Sequence, residues 1–173
     1  DDMKLYTCQC CGYKTLLEGT KASNERCVVC YWIDNREQNM NPEECLEGPN
    51  EYLRLREAQN NFVSMGACES TWTEHVIPPK IHNFIKDDQF RTIGLYTCQC
   101  CGYKTLLEKP GCSYEICKVC GWQDDADDDG GANYVTLEQA RRNFKLLGES
   151  DPEHPIQYIS SKKYEKDQNF KRK

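Results

Sequence analysis

Long apolar runs are absent from this chain: no stretch approaches the roughly 18 consecutive apolar residues of a membrane-spanning helix. The first residues carry no apolar segment of the kind a secretory signal needs, so a reducing, cytoplasmic setting is expected. Histidine is scarce. The three copies, His75, His82 and His154, are too scattered to complete a catalytic metal site. No nucleophile–base pair stands out either, so no enzyme activity is expected. Large apolar side chains are also in short supply, with hydrophobic residues at 38% and charged residues at 29% of 173. Two units of about 70 residues built from such material need a covalent or metal staple. Positive charge is in deficit as well. The net charge of −6 argues against general affinity for nucleic acid or an anionic membrane and points to basic partners.

What is present is cysteine, 13 copies, inside an internal repeat. Leu5 to Glu18 reads LYTCQCCGYKTLLE, and Leu95 to Glu108 is the same letter for letter. Each copy is followed at the same distance by a second pair, Cys27/Cys30 and Cys117/Cys120. Both halves therefore carry C-x2-C, fifteen residues, C-x2-C, and the chain is a tandem duplication. The odd cysteine total and the repeated ligand-like spacing favour metal over disulfides. Two four-cysteine sites are expected: Cys8, Cys11, Cys27 and Cys30, then Cys98, Cys101, Cys117 and Cys120. Four protein ligands close a tetrahedron, so two structural Zn²⁺ are predicted, with no open position for water. Each Zn²⁺ on four thiolates adds a net −2, which takes the chain from −6 to about −10.

Glycine after the second cysteine suits the tight turn of a C-x2-C knuckle, and Gly12, Gly102 and Gly121 stand there. Tyr31 takes that place after Cys30. Cys10 and Cys100 occupy non-ligand slots and read as small thiols beside the metal. Cys45, Cys68 and Cys112 have no cysteine counterpart in the other half and read as free thiols. Redox exchange at Cys27/Cys30 is not expected, because no helix pattern follows Cys30. Trp32 and Trp122 follow the second pair by two positions and read as packing over the metal site, with a base-stacking platform as the alternative.

The remaining pattern gives an α+β class: two tandem small zinc-ribbon-like units, each a β-hairpin cysteine region followed by a C-terminal helix. Tyr6, Tyr13, Thr15 and Leu17 suit a hairpin, as do Tyr96, Tyr103, Thr105 and Leu107. Leu137, Ala140, Phe144 and Leu147 share a helical face, with a Thr136/Gln139 capping box before them and Gly148 as the stop. Leu55, Ala58, Phe62, Met65 and Gly66 repeat that face, with Arg54 where the threonine cap belongs. The offset between halves falls from 90 at the cysteines to 82 at the helices, which places an eight-residue insertion in 33–50. The expected division is 1–70 for the first unit, 71–93 for an ordered apolar strap, 94–150 for the second unit and 151–173 for an extension. Within that extension a strand near Ile156–Ile159 precedes a polar, frayed tail, of which Lys162–Lys173 carries a net +4.

The second half, from Tyr96 and Cys98-Gln-Cys-Cys-Gly-Tyr-Lys-Thr-Leu through Tyr114-Glu-Ile-Cys-Lys-Val-Cys-Gly-Trp-Gln-Asp-Asp, Gly130-Gly-Ala-Asn, Leu137-Glu-Gln-Ala-Arg, Asn143-Phe and Gly148, resembles the bacterial cysteine-rich CPCC domain. The first half resembles it at the first cysteines and the helix and departs between them. Both replace the family's proline with Gln9 or Gln99. The resemblance implies a zinc-ribbon-like module, carries no catalytic residue across, and makes an immunity role beside a toxin thinkable.

The acidic run Asp124, Asp125, Asp127, Asp128 and Asp129 copies the first half of a calcium loop, but Thr136 stands where its closing glutamate belongs. The run reads instead as an anionic contact for a basic partner. The expectation is a non-catalytic protein that recognises another protein, possible toxins or nucleases included. A nucleic-acid-binding zinc ribbon using Arg141, Arg142, Lys145, the basic tail and the tryptophans is the alternative.

Overall fold

A computed structural model of the chain describes residues 3–126, 131–155 and 164–171. It divides into two compact units, 1–94 and 95–173. Each opens with a two-stranded antiparallel hairpin: β1 (Tyr6–Thr7) with β2 (Lys14–Leu16), and β3 (Tyr96–Thr97) with β4 (Lys104–Leu106). The registers are the same, Tyr6 opposite Leu16 and Thr7 opposite Lys14, then Tyr96 opposite Leu106 and Thr97 opposite Lys104, with an irregularity between the two pairs in both. The β-rich stretch of Tyr, Thr and Leu makes these strands, and the cysteine knuckle forces the bulge. The first unit continues through α1 (Arg36–Met40) to α2 (Leu55–Met65), and the second goes to α3 (Leu137–Leu147).

Helix ends follow the expected chemistry. Thr136 Oγ1 accepts from Gln139 N at 3.1 Å, whereas Arg54 supplies no side-chain cap. Gly66 and Gly148 close α2 and α3 in the left-handed conformation, at φ 80° and 78°. The apolar face is shorter than its pattern. Leu55 and Ala58 are buried, as is Ala140; Leu137, Phe62 and Phe144 are half-buried, while Met65 and Leu147 are exposed. Each helix rests on the cysteine cluster as far as Phe62 or Phe144, and its last turn stands clear. Arg56 in α2 lies under this layer, donating to the carbonyl of Gly94 and the carboxylate of Glu43.

The insertion builds α1, which the sequence pattern did not announce. Asn35 caps it by accepting from Gln38 N at 3.1 Å, and the Gln38 side chain, 2% exposed, donates to Leu46 O and Glu51 O. Asn50 pairs through both side-chain atoms with the backbone of Ile33, at 2.8 Å each, and Asn133 does the same with Gln123 at 2.9 Å. That equivalence places seven of the eight extra residues between Ile33 and Asn50. The eighth lies between Asn50 and Leu55, outside the expected range.

Residues 84–91 of the expected strap belong to the first unit. Ile85 O accepts from Lys14 N at 2.9 Å, Asp87 N donates to Gly12 O at 2.8 Å, and Lys86 bridges Tyr13. The tail expected to fray does the same in the second unit. Glu165 O accepts from Lys104 N at 2.8 Å, Asp167 N donates to Gly102 O at 2.9 Å, and Lys166 bridges Tyr103. The strand expected near Ile156–Ile159 lies outside the described residues, as do Lys162, Lys163, Arg172 and Lys173. Among the described residues no helix is long and apolar enough to cross a membrane.

Candidate metal centres

Each hairpin presents one C-x2-C knuckle, and the turn after it presents the second. In the first unit Gly12 N donates back to Cys8 O at 3.0 Å and Tyr31 N to Cys27 O at 2.8 Å. In the second, Gly102 N donates to Cys98 O at 3.0 Å and Gly121 N to Cys117 O at 2.8 Å. All four closing residues are left-handed: Gly12 at φ 79°, Tyr31 at 76°, Gly102 at 80° and Gly121 at 85°. A tyrosine held there costs about 1–2 kcal/mol relative to glycine. Its ring recovers part of that, packing 4.9 Å from Trp72 and lying under the Arg26 guanidinium at 4.5 Å.

The eight predicted ligands form two groups of four, with the sulfurs of each group within 4.8 Å of one another. Cys8 and Cys30 are 3.6 Å apart, and Cys11 and Cys27 are 3.7 Å apart. Cys98–Cys120 and Cys101–Cys117 are both at 3.7 Å. A tetrahedron with metal–sulfur bonds near 2.3 Å has edges of about 3.8 Å, so the donor set fits a four-thiolate ion such as zinc. All eight cysteines are at most 1% exposed.

Sulfurs this close cannot all ionise without a cation among them. Burial pushes the Cys8 and Cys30 thiols up, and the hydrogen bond with Cys27 raises Cys11. Cys27 is held well down by hydrogen bonds from Cys11, Cys30 and Cys8. The second unit repeats this, with Cys117 held down by Cys101 while Cys98, Cys101 and Cys120 are raised. A bound dication replaces the shared protons, so metal affinity rises with pH. Thr15 and Thr105, expected from the sequence only as hairpin residues, place a hydroxyl 3.1 Å from the Cys27 and Cys117 sulfurs. Backbone donors add to this: Cys10 N reaches Cys8 Sγ and Val119 N reaches Cys117 Sγ, each at 3.4 Å.

Cys10 and Cys100 are buried beside the clusters without joining the four-sulfur groups. Cys68 is also buried, and burial pushes its thiol up. Its structural counterpart is Ser150: Cys68 N donates to Cys30 O at 2.8 Å, and Ser150 N to Cys120 O at 2.7 Å. Cys45 and Cys112 are exposed. Trp32 and Trp122, 0% and 2% exposed, pack inside the clusters and offer no face for stacking bases.

The acidic run divides. Asp124 is 3% exposed, and its carboxylate accepts from Gly111 N, Ser113 N and Ser113 Oγ. It holds a turn and is withdrawn from solvent, which removes it from the expected anionic contact. Asp34, its counterpart, accepts from Ser23 N at 3.1 Å and Ser23 Oγ at 2.9 Å. The signal was available, since Ser23/Asp34 and Ser113/Asp124 both keep the 90-residue offset. Asp125 accepts from Ala132 N at 2.7 Å. Asp127, Asp128 and Asp129 lie outside the described residues.

No curated protein and no solved structure matches the chain significantly. Among known families, one described as cysteine-rich CPCC matches residues 6–83 and 96–165, and each matched stretch holds one complete four-sulfur cluster. The chain belongs to the cysteine-rich CPCC family and carries its domain twice in tandem.

Proposed function

We propose that this is a non-catalytic zinc-binding protein that recognises another protein of basic charge, in the manner of an immunity-type inhibitor covering a cationic toxin. One observation carries the reading: all eight clustered cysteines are at most 1% exposed, which leaves a bound ion no position for water or substrate. The ion then serves the fold, and function falls to the surface. That surface is acidic, at −6 before metal and about −10 with two Zn(Cys)₄ centres. Such a field speeds encounter with a cationic enzyme and opposes binding to nucleic acid.

The first test is composition: elemental analysis of protein purified without added metal, where two zinc per chain are expected. The second is capture of partners from the native host at about 50 mM salt with a wash at about 500 mM, concentrations that span the screening range. A cationic protein released by the wash supports the reading. Nucleic acid as the retained species, or a partner indifferent to salt, refutes it.

A further inference from the structure

The segments that close the two units are alike: Phe84-Ile-Lys-Asp-Asp-Gln-Phe-Arg91 and Tyr164-Glu-Lys-Asp-Gln-Asn-Phe-Lys171. Lysine, aspartate and the second aromatic are identical. A ring at the first place, an amide at the sixth and a cation at the eighth are kept in kind. The half-buried positions are the ring at the first place, the aspartate and the last phenylalanine, while the two that change in kind, Ile85/Glu165 and Asp88/Gln168, are exposed. Both segments have a formal charge of zero.

The residues that anchor them, Thr7, Gly12, Tyr13 and Lys14 or Thr97, Gly102, Tyr103 and Lys104, fall inside the repeated fourteen and are the same in both units, while the Arg141 guanidinium, 5.7 Å from the Phe170 ring, has Gln59 at its counterpart position. Thr7 Oγ1 donates to Asp87 Oδ2 at 2.7 Å, and Thr97 Oγ1 to Asp167 Oδ2 at 2.7 Å. Each aspartate also turns its own segment by accepting from Gln89 N or Asn169 N at 2.9 Å. The Phe90 ring lies on Gly12 and the Phe170 ring on Gly102, so closely that a Cβ there would sit 2.6 Å or 2.9 Å from the ring Cγ. A single antiparallel bridge to Tyr13 or Tyr103, with a backbone hydrogen bond from Lys14 or Lys104, extends the hairpin edge. This is strand addition with two side-chain anchors, a mode by which domains take linear peptides. Residues 84–91 and 166–171 fall outside the stretches matched to the family.

We propose that the surface over Gly12 and Gly102 is a recognition site for the pattern aromatic-x-Lys-Asp-x-(Gln/Asn)-Phe-(Arg/Lys), and that a second copy of this chain supplies it. Residues 164–171 of one copy dock on Thr97, Gly102, Tyr103 and Lys104 of another, and the exchange is reciprocal. The second copy is the occupant because the chain itself carries two such segments and two receivers with the same anchoring residues, so every copy is complementary to every other.

The test uses full-length, zinc-loaded protein carrying Phe170→Ala, with Asp167→Asn as a second variant; two bound zinc per chain verify folding. The probe is a fluorescein-labelled peptide of residues 164–171. Saturable binding below about 1 mM is expected, and wild-type protein should bind about tenfold more weakly because its own segment competes at millimolar effective concentration. An unlabelled peptide of residues 84–91 should displace the probe within about threefold of the 164–171 peptide, since the anchoring residues are the same in both units. A peptide lacking the aspartate and final phenylalanine should not. Wild-type chains at about 1 mM should sediment partly as dimers, with a Phe90→Ala/Phe170→Ala double variant remaining monomeric. Absence of saturable binding overturns the proposal, as does binding indifferent to the aspartate and phenylalanine. Peptide binding by a wild-type chain that stays monomeric throughout this range overturns the choice of a second copy.

Discussion

Two glycines in the first unit share one backbone angle and differ in their surroundings, which allows conformational cost and packing cost to be separated. Gly66 at φ 80° has no atom within 4 Å of a built Cβ. Gly66→Ala should therefore cost only the left-handed conformation less the gain from a stiffer unfolded chain, about 1 kcal/mol net. Gly12 at φ 79° pays the same and also meets Phe90. That ring can swing out, so the added cost is limited to what its docking contributes. Full burial of a phenylalanine stabilises by about 1.5–3 kcal/mol, and this half-buried ring by about 1–1.5. Gly12→Ala should cost about 2–2.5 kcal/mol and Phe90→Ala about 1–1.5. The double variant should cost no more than Gly12→Ala alone, a coupling of about 1 kcal/mol. The assay is urea unfolding of zinc-saturated protein followed by circular dichroism at fixed free zinc. Gly148→Ala, Gly102→Ala and Phe170→Ala repeat the experiment in the second unit, where Gly148 likewise has no neighbour. Equal costs at Gly12 and Gly66, or strict additivity with Phe90→Ala, would show that the ring does not depend on the glycine.

Other expectations concern the clusters and the carboxylates. Cys27→Ser should reduce bound zinc from two per chain to one, whereas Cys10→Ser should leave two; loss of zinc from the Cys10 variant would assign that thiol to the metal. Asp124→Asn, which turns one donor group toward three others, should cost about 2–3 kcal/mol in the same urea assay, against about 0.5 or less for Asp125→Asn. The Asp87 and Asp167 carboxyls are held below their ordinary range by the Thr7 and Thr97 hydroxyls and by backbone N–H groups. A depressed value means the contribution is complete above the unfolded value near 4 and is lost only as pH falls through the lower folded value. The Phe170 ring resonances should therefore be unchanged between about pH 8 and 6, and a shift within that window would contradict the assignment.

What could be read from sequence was what depends on short spacing. The ligands follow from C-x2-C, and the helix stops follow from Gly66 and Gly148. The closing segments were hidden because Thr7 and Asp87 are 80 residues apart and the shared letters, Lys-Asp and a later Phe, are too few to announce themselves. Within the acidic run, Asp124 alone is shown to differ from the expectation, and for another reason. Charge in a string suggests solvent, but Asp124 sits opposite a turn whose donors need a buried acceptor. The helical faces were overestimated because the pattern shows which side is apolar and not how far the cluster beneath it extends.

Tyr31 ties the first cluster to a neighbour far along the chain. Its backbone is held against preference, and Trp72 and Arg26 supply the restraint. The second unit, with Gly121 there, has no such dependence. Damage to the indole of Trp72, by oxidation or substitution, should thus loosen the grip of Cys8, Cys11, Cys27 and Cys30 on any ion they hold, and leave the four-sulfur group of the other half unaffected.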